Sequence, residues 1–173
     1  MTRYAVFTGF LMMLVTPVAW GQTTTVQVAV GAEASISITT TTTTMAAVGA
    51  VFNNYTGTTN FTYKIRTTQT SGSGTITLKV TTDFSPANGP SVAKPPSTGD
   101  ALQYACTVAS PGTACTGSLT SSTTASTSVA TFGADAHSAV GGNAGSVAWT
   151  LTNDPVYKTG SYGATVTFTI AAL

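Results

Sequence analysis

Seven segments of the chain alternate apolar side chains with threonine, serine or other polar residues at every second position. They span 26–30, 36–38, 61–65, 76–80, 102–106, 147–151 and 166–170. A strict period of two places one set of side chains in a core and the other in water, as on the two faces of a half-buried β-strand. No segment sustains the period of an amphipathic helix, so the sequence predicts an all-β protein.

Turn signals separate these segments and indicate the architecture. Gly72-Ser73-Gly74 has the composition of a hairpin turn between the third and fourth segments. Residues 85–99 contain four prolines and predict an insertion loop, because proline donates no hydrogen bond within a central strand. Residues 118–128 are rich in serine and threonine and predict either a second exposed loop or a weak edge strand. Short strands separated by turns over about 150 residues indicate a single immunoglobulin-like Greek-key β-sandwich.

Charged residues make up only 6% of the chain, and the formal net charge is +1. Nucleic acid and anionic membrane surfaces both require a basic footprint, so this composition argues against either as a partner. Threonine is abundant instead, with 38 of the 173 residues. Its β-branched side chain suits a strand, and a face covered with threonine is polar without being charged. A low net charge does little to keep copies apart, which favours a protein held on a surface or packed in an assembly.

The first 21 residues have the anatomy of a secretory signal peptide. Arg3 precedes an apolar run from Ala5 to Val15, and Pro17 is followed by a small-x-small cleavage site that ends at Gly21. The apolar run is short for the roughly 20 residues of a membrane span, so cleavage is favoured over an uncleaved anchor. We therefore expect a secreted domain of residues 22–173, located in the periplasm, outside the cell or on its surface. No later run is apolar enough to span a membrane.

Cys106 and Cys115 are the only cysteines, and an even count in an exported chain predicts a disulfide. Ser110-Pro111-Gly112, which lies between them, is a turn signal. If Val108 pairs with Thr113 across a four-residue loop, the two cysteines lie opposite each other. We therefore expect the disulfide to staple a β-hairpin. Two thiols and one distant histidine do not make a zinc site.

Two short motifs match the penicillin-recognising serine enzymes, S-x-x-K at Ser91–Lys94 and K-T-G at Lys158–Gly160. That chemistry needs the serine and the lysine one helical turn apart. Pro90 precedes the serine and Pro95-Pro96 follows the lysine, so no helix continues there. The third motif of those enzymes is absent. We therefore interpret both matches as loops rich in common residues.

No other constellation predicts catalysis. His137 is the only histidine, and its neighbour Ser138 would point to the opposite face of a strand. The five acidic residues are scattered, and nothing in the sequence brings two of them together for glycoside hydrolysis. We predict no catalytic residue, no cofactor and no metal site. The sequence leaves open whether calcium binds between loop acids such as Asp83, Asp100 or Asp154.

The tyrosines divide into two groups. Tyr63 and Tyr104 occupy inward strand positions and are expected in the core. Tyr157 and Tyr162 flank the last loop and are candidate contacts for a glycan or a cell-wall polymer. Tyr162 is also a candidate for a corner contact at the entry to the last strand.

The chain ends in the pattern G-x-Y-x-x-x-V-x-F-x-I, formed by Gly160, Tyr162, Val166, Phe168 and Ile170. This ending resembles the closing strand of secreted bacterial surface β-sandwiches, namely spore-coat-U-type domains and chaperone–usher pilin subunits. Those families share an export signal, few charges, many threonines and an N-terminal segment of alternating apolar residues. The resemblance covers mainly residues 22–30 and 160–173. It implies an extracellular fibre or coat in which the N-terminal strand of one subunit completes the sheet of its neighbour.

Trp149-Thr150-Leu151 is similar to the W-x-L motif of Gram-positive wall-binding domains, which usually carry two such motifs. Only one is present here. Trp149 lies on an alternating segment, where the period of two predicts a core position.

These observations predict a non-enzymatic secreted or cell-surface structural or interaction protein and a candidate fibre- or coat-forming subunit. The alternative is a module that binds a carbohydrate or a wall polymer. Expected partners are further copies of the chain, other surface subunits or such a polymer. Val26, Val28 and Val30 form the candidate donor strand. We expect that strand to complete the sheet of its own chain, with donation to another copy as the alternative.

Overall fold

The structure is a computed structural model that describes residues 24–173. The predicted signal peptide, residues 1–21, lies outside the described residues. Within them the chain forms no helix and ten strands, as the alternating pattern predicts. The strands are β1 (Glu33–Ile38), β2 (Ala46–Ala47), β3 (Tyr55–Arg66), β4 (Gly74–Ser85), β5 (Gln103–Val108), β6 (Thr113–Ala114), β7 (Leu119–Thr120), β8 (Thr127–Phe132), β9 (Asn143–Leu151) and β10 (Gly163–Ala172).

The strands form two antiparallel sheets that enclose one core. The larger sheet has the order β1-β3-β9-β5-β7, and β2 also pairs with β3, on the part of that strand that precedes the β1 pairing. The smaller sheet has the order β10-β4-β8-β6. The expected all-β architecture of two packed sheets is therefore confirmed at this level.

The core consists of the inward side chains that the period of two selects. Tyr63 and Tyr104 are 0% and 1% exposed, which confirms both as core residues. Trp149 is 5% exposed, so its predicted core position is also confirmed. Aromatic rings fill the centre, where Tyr104 packs on Trp149 with ring centroids 5.7 Å apart and Tyr63 packs on Phe132 at 5.2 Å. Each of these large side chains removes more apolar surface from water than an aliphatic side chain does.

Gly145 allows the two central strands of the larger sheet to pack closely beside an aromatic ring. It lies opposite Phe61 in the β3–β9 register and is buried. A Cβ atom built at Gly145 would come within 2.3 Å of the Phe61 ring. The absence of a side chain at this position therefore provides the space for Phe61, which is 1% exposed.

The predicted hairpin at Gly72-Ser73-Gly74 is wrong. The turn connects β3 to β4, but these strands belong to different sheets. The chain crosses the core here because β3 already has β1 and β9 as partners, and β4 pairs with β8 and β10. The turn signal therefore correctly located the reversal of the chain. It did not predict which strands pair, because β3 and β4 each pair with strands from distant parts of the sequence.

The disulfide between Cys106 and Cys115 is present, with a Cα–Cα distance of 5.4 Å. The expected hairpin around it is wrong. Val108 pairs with Gly145 of the larger sheet, whereas Thr113 pairs with Thr131 of the smaller one. The disulfide therefore joins the two sheets instead of two paired strands.

Both predicted loops are present. The first is held in place by hydrogen bonds, and the second contains a short strand. Residues 86–99 contain no strand, but the carboxylate of Asp83 organises the start of this loop. It accepts hydrogen bonds from the Ser91 hydroxyl at 2.7 Å and from the backbone N–H groups of Val92 and Ala93 at 2.7 and 3.1 Å. The segment 118–128 is a loop except for β7 and the first two residues of β8.

Candidate functional site

The two sheets meet along one side of the sandwich at strands that each lack a second partner. β1 ends the larger sheet, and β10 ends the smaller sheet. Several pairs of Cα atoms from these strands lie within 8 Å of each other, but no backbone ladder joins them. We call this line the β1–β10 seam. Its inward side chains are Ile36, Ile38, Val166, Phe168 and Ile170.

The seam is less well covered than the centre of the core. Its five apolar side chains are only half-buried, whereas Ile76 and Leu78 on the adjacent β4 are 0% and 1% exposed. Phe168 packs on the core ring of Phe61 with a centroid distance of 5.9 Å. The seam therefore exposes apolar surface that is continuous with the core, together with the free backbone edges of two strands. Such an edge is a template for a further strand.

The threonine run between β1 and β2 extends the same edge of the larger sheet. The N–H groups of Thr39 and Thr40 both donate to the carbonyl oxygen of Asn60, at 2.9 and 3.2 Å. The hydroxyl of Thr43 lies 2.6 Å from that of Thr59. These bonds fasten the low-complexity run along β3, because short hydroxyl side chains bond readily to nearby backbone and to each other. They leave the seam at β1 uncovered.

The N-terminal segment is the next feature of this side. Residues 24–32 form no strand, and Val26, Val28 and Val30 are 90%, 84% and 64% exposed. The expectation that this segment joins a sheet of its own chain is therefore not met in the structure. The chain is fastened immediately afterwards, where Arg66 donates to the carbonyl oxygen of Gly31 at 2.7 Å and forms a 3.2 Å salt bridge with Glu33.

The segment and the seam have matching spacing. Val26, Val28 and Val30 recur at every second residue, and so do the seam side chains of β1 and β10. In an extended strand such positions are about 6.8 Å apart on one face. In an extended conformation, the three valines of the segment are therefore spaced along one face by the same distance as the half-buried side chains of the seam.

A disulfide bridges the two sheets on the opposite side of the sandwich. Cys106 lies on the stretch of β5 beyond its short pairing with β7, and Cys115 follows β6, the last strand of the smaller sheet. The disulfide links the sheets there, and the Cys115 N–H donates to the carbonyl oxygen of Val129 at 2.9 Å. The two sheets are therefore joined covalently on one side, whereas no backbone ladder joins β1 to β10 on the other.

The two tyrosines predicted to contact a glycan have contacts within the protein. The hydroxyl of Tyr162 donates to the carbonyl oxygen of Lys158 at 2.6 Å. A Cβ atom built at Gly89 would come within 2.2 Å of the Tyr162 ring, so this ring packs against the proline-rich loop. Tyr157 is half-buried, and its hydroxyl lies beside the carboxyl group of Asp100. The glycan-contact prediction stays a prediction.

The residues of the enzyme-like motifs also have structural partners. The Ser91 hydroxyl donates to Asp83 and accepts the Lys94 N–H at 2.9 Å. The Lys158 N–H donates to the carbonyl oxygen of Asn88 at 3.0 Å, which joins the last loop to the proline-rich loop.

The lone histidine contacts one carboxylate and pairs through its backbone with Arg66. His137 Nε2 lies 3.6 Å from Asp135 Oδ1, and both side chains are more than half exposed. The hydroxyl of Ser138 bonds instead to the backbone of Ile65. The structure therefore does not bring serine, histidine and aspartate together at this position.

Two open depressions occur in the described surface, and neither is lined by the seam residues. One of about 380 Å³ lies beside Val48 and Phe52, and one of about 290 Å³ lies beside Gly31 and His137. Residues 24–173 contain no group of three or more His, Cys, Asp or Glu side chains placed to hold a metal ion. The same part of the chain has no helix capable of crossing a membrane.

Comparison of the chain with models of known protein families, with curated proteins and with solved structures finds no match.

The sequence pattern singled out the exposed valines but gave no indication of the seam. Ile36, Phe168 and Ile170 have the same alternating pattern as residues of central strands. The pattern gives no signal that β1 and β10 end their sheets on the same side, since strand order depends on pairings between distant parts of the chain.

Proposed function

We propose that this protein is a non-enzymatic structural subunit of a secreted or cell-surface assembly, and that copies join by β-strand addition. In this assembly the segment 24–30 of one copy lies along the β1–β10 seam of the next. The observation that carries the proposal is the combination of an uncovered apolar seam with an exposed segment of matching period in the same chain. Backbone hydrogen bonds supply affinity in such additions, and alternate side chains supply specificity.

The strand order supports the proposal and suggests a finer fold class, an immunoglobulin-like Greek-key sandwich. In that fold one sheet has strands A, B, E and D, and the other has C, F and G. The order β1-β3-β9-β5 corresponds to A-B-E-D, and β4 beside β10 corresponds to C beside F. Among the described strands none takes the place of G, which would pair with the free edge of β10. The neighbour's segment is proposed to fill that place. β8 and β6 extend the smaller sheet beyond this plan.

Entry of a strand requires the seam to open. Paired strands lie about 4.8 Å apart, so a strand that pairs with both edges holds β1 and β10 about 9.6 Å apart. Several Cα pairs between these strands are now within 8 Å. Separation exposes more of the core, and each inserted valine then buries apolar surface worth roughly 1.5 kcal/mol or more.

The composition and the disulfide support an extracellular site of assembly. Structural disulfides persist in oxidising compartments, and Cys106–Cys115 joins the two sheets covalently. A surface with few charges and many threonines offers little repulsion between neighbouring copies. Secretion through the predicted signal peptide is part of the proposal.

The test uses two matched variants of the full exported protein. Val28→Asp places a charge on the face of the segment that is proposed to enter the seam. Gln27→Asp places the same charge one residue away, on the opposite face of the extended strand. Multimers of the wild-type protein are measured by size-exclusion chromatography and negative-stain microscopy. We expect Gln27→Asp to retain them and Val28→Asp to remain monomeric.

The fold of the Val28→Asp monomer is checked by its melting temperature. Because Val28 is 84% exposed, the substitution should change the stability of the monomer by less than about 0.5 kcal/mol. The proposal is contradicted if Val28→Asp forms as many multimers as the wild-type protein. It is also contradicted if Val28→Asp and Gln27→Asp lose their multimers to the same extent.

A peptide of residues 22–30 provides a second readout. Added to the Val28→Asp protein, whose own segment is blocked, it should occupy the seam and raise the melting temperature. The same peptide with Val28→Asp is the control and should have no effect. A wild-type peptide that leaves the melting temperature unchanged would indicate that the seam does not accept this segment.

A further inference from the structure

Asp100 is a buried carboxylate with an unpaired oxygen. It follows the proline-rich loop, immediately before β5, and is only 2% exposed. Its backbone N–H donates to the carbonyl oxygen of Ser97 at 3.2 Å, but its Oδ2 atom has no hydrogen-bond partner among the described residues. A buried polar atom without a partner costs about 1–3 kcal/mol, and more if it carries charge. Because of this cost, we expect the unpaired oxygen to bind a ligand or a proton.

A second carboxylate lies directly beside it. Asp154, on the loop after β9, interacts through its side chain with Asp100 and with Ser97. Neither aspartate forms a salt bridge with a lysine or arginine among residues 24–173. Two adjacent carboxylates without a counter-charge repel each other, and the repulsion is strong where water is excluded.

Tyr157 adds a second unpaired oxygen at the same place. Its hydroxyl lies near the Asp100 carboxyl group, and its Oη atom is buried without a hydrogen-bond partner among the described residues. The Tyr157 N–H donates to the carbonyl oxygen of Asp154 at 3.1 Å, which holds the two residues together in the same loop. The carboxyl groups of Asp100 and Asp154 thus lie together with the Tyr157 hydroxyl and Ser97 nearby, and no lysine or arginine side chain pairs with either carboxyl group among the described residues.

The third loop acid, Asp83, has no unpaired carboxylate oxygen. The Asp83 carboxylate accepts bonds from one hydroxyl and three backbone N–H groups, so both of its oxygens are satisfied. Of the three loop acids open to calcium on sequence grounds, only Asp100 and Asp154 are brought together.

We propose that Asp100 and Asp154 form a calcium site, with Ser97 and Tyr157 beside it, that fastens the proline-rich loop to the loop after β9. Ca²⁺ takes six to eight oxygen ligands at about 2.3–2.6 Å in flexible geometry, and water completes sites with few protein ligands. Mg²⁺ demands a tighter octahedron and gives up water reluctantly, so it fits the pair less well. The loops already meet through Lys158 and Asn88, and the ion would hold that contact.

The competing explanation is a proton held between the two carboxyl groups. Burial raises the pKa of Asp100, and the adjacent Asp154 raises it further. A shared proton removes the repulsion without a metal. The two explanations differ in their response to calcium at neutral pH, where an ion raises stability and a proton does not.

The test measures the melting temperature of the full exported protein in EDTA and then in about 10 mM calcium chloride. For a site of the weak affinity usual in extracellular modules, we expect a rise of about 3–8 °C. Magnesium at the same concentration should give less than half of that rise. Asp100→Asn should abolish it. Asp135→Asn removes an exposed carboxylate elsewhere and should retain it.

Terbium luminescence provides a direct binding readout. Tb³⁺ in the site should be excited through the nearby Tyr157 ring, and excess calcium should quench the signal by displacement. Should Asp100→Asn fail to fold, Asp154→Asn replaces it, because Asp154 is more exposed. An unchanged melting temperature of the wild-type protein in calcium overturns the proposal in favour of the shared proton. An equal rise in Asp100→Asn or Asp154→Asn also overturns it, because the ion then binds elsewhere.

Discussion

The indole Nε1 of Trp149 donates a 2.8 Å hydrogen bond to the hydroxyl of Thr59, and both residues are buried. The Thr59 hydroxyl in turn lies 2.6 Å from that of Thr43, within the threonine run that follows β1. A chain of hydroxyl groups therefore links the central tryptophan to the edge of the larger sheet. The W-x-L motif belongs to this internal network, since its tryptophan is 5% exposed.

Replacement of Thr59 by valine tests this network. Valine has nearly the same shape but no hydroxyl, so the buried indole N–H loses its acceptor. We expect a loss of about 1–3 kcal/mol in the free energy of unfolding, measured by urea denaturation. Thr58→Val, one residue away on the exposed face of the same strand, is the control and should change stability by less than about 0.5 kcal/mol. Equal losses of unfolding free energy in the two variants would show that the hydrogen bond to Trp149 does not stabilise the fold.

Gly145→Ala should destabilise the protein through the core. Its new methyl group would lie within 2.3 Å of the Phe61 ring, which also packs on Phe168 of the seam. Overpacking of this kind costs about 1–3 kcal/mol, and thermal unfolding measures it. The matched control is Gly141→Ala, because a Cβ atom at Gly141 meets nothing within 4 Å. A melting temperature unchanged by Gly145→Ala would mean that Phe61 can move aside at no cost.

Removal of the disulfide should weaken the sandwich without abolishing its pairing pattern. The two cysteines are nine residues apart in sequence, and closure of a ring of that size stabilises by about 2–3 kcal/mol on the chain-entropy model. We expect the double variant Cys106→Ser, Cys115→Ser to lose that amount in urea denaturation. Addition of a reductant to the wild-type protein should reproduce the loss and leave the double variant unaffected.

The carboxylate of Asp83 should make stability depend on pH in the acid range. Burial raises the pKa of Asp83, but bonds from Ser91 and from the N–H groups of Val92, Ala93 and Phe84 outweigh it, so the pKa lies below its ordinary 3.8. The unfolded state therefore binds the proton more tightly than the folded state. The contribution is fully present above pH 3.8 and is lost as the pH falls through the lower folded-state pKa.

Asp83→Asn isolates this contribution. At about pH 6 we expect the variant to be less stable than wild type by about 1–3 kcal/mol, because an amide replaces a carboxylate that accepts several bonds. The difference should shrink as the pH falls from about 3.8 through the folded-state pKa, since the wild-type group is then protonated in both states, and it should stay small below that pKa. A difference that is constant across this range would assign the effect to lost packing instead of charge.

Local patterns in the sequence determined the strands and most of the core. Alternation at every second residue located β3, β4, β5, β9 and β10, because a half-buried strand needs one apolar and one polar face. It also predicted the burial of Tyr63, Tyr104 and Trp149. The pairing of Cys106 with Cys115 followed from their being the only two cysteines.

The same pattern failed for the N-terminal segment. Val26, Val28 and Val30 alternate as well as any core strand, but they are exposed and unpaired in the structure. Alternation states which face of a segment can be buried. It does not state which edge is available, because the backbone bonds of a sheet are the same for every residue type.

Tertiary structure alone decided how the sheets are ordered and which distant groups meet. The turns at Gly72–Gly74 and Ser110–Gly112 reverse the chain, but they carry it from one sheet to the other because the preceding strands pair elsewhere. That order leaves β1 and β10 unpaired on one side and brings Asp100 beside Asp154, which is 54 residues later in the sequence. Short-range periodicity determines a strand's faces, whereas its neighbours depend on long-range pairing, so both proposed sites became visible only in the folded chain.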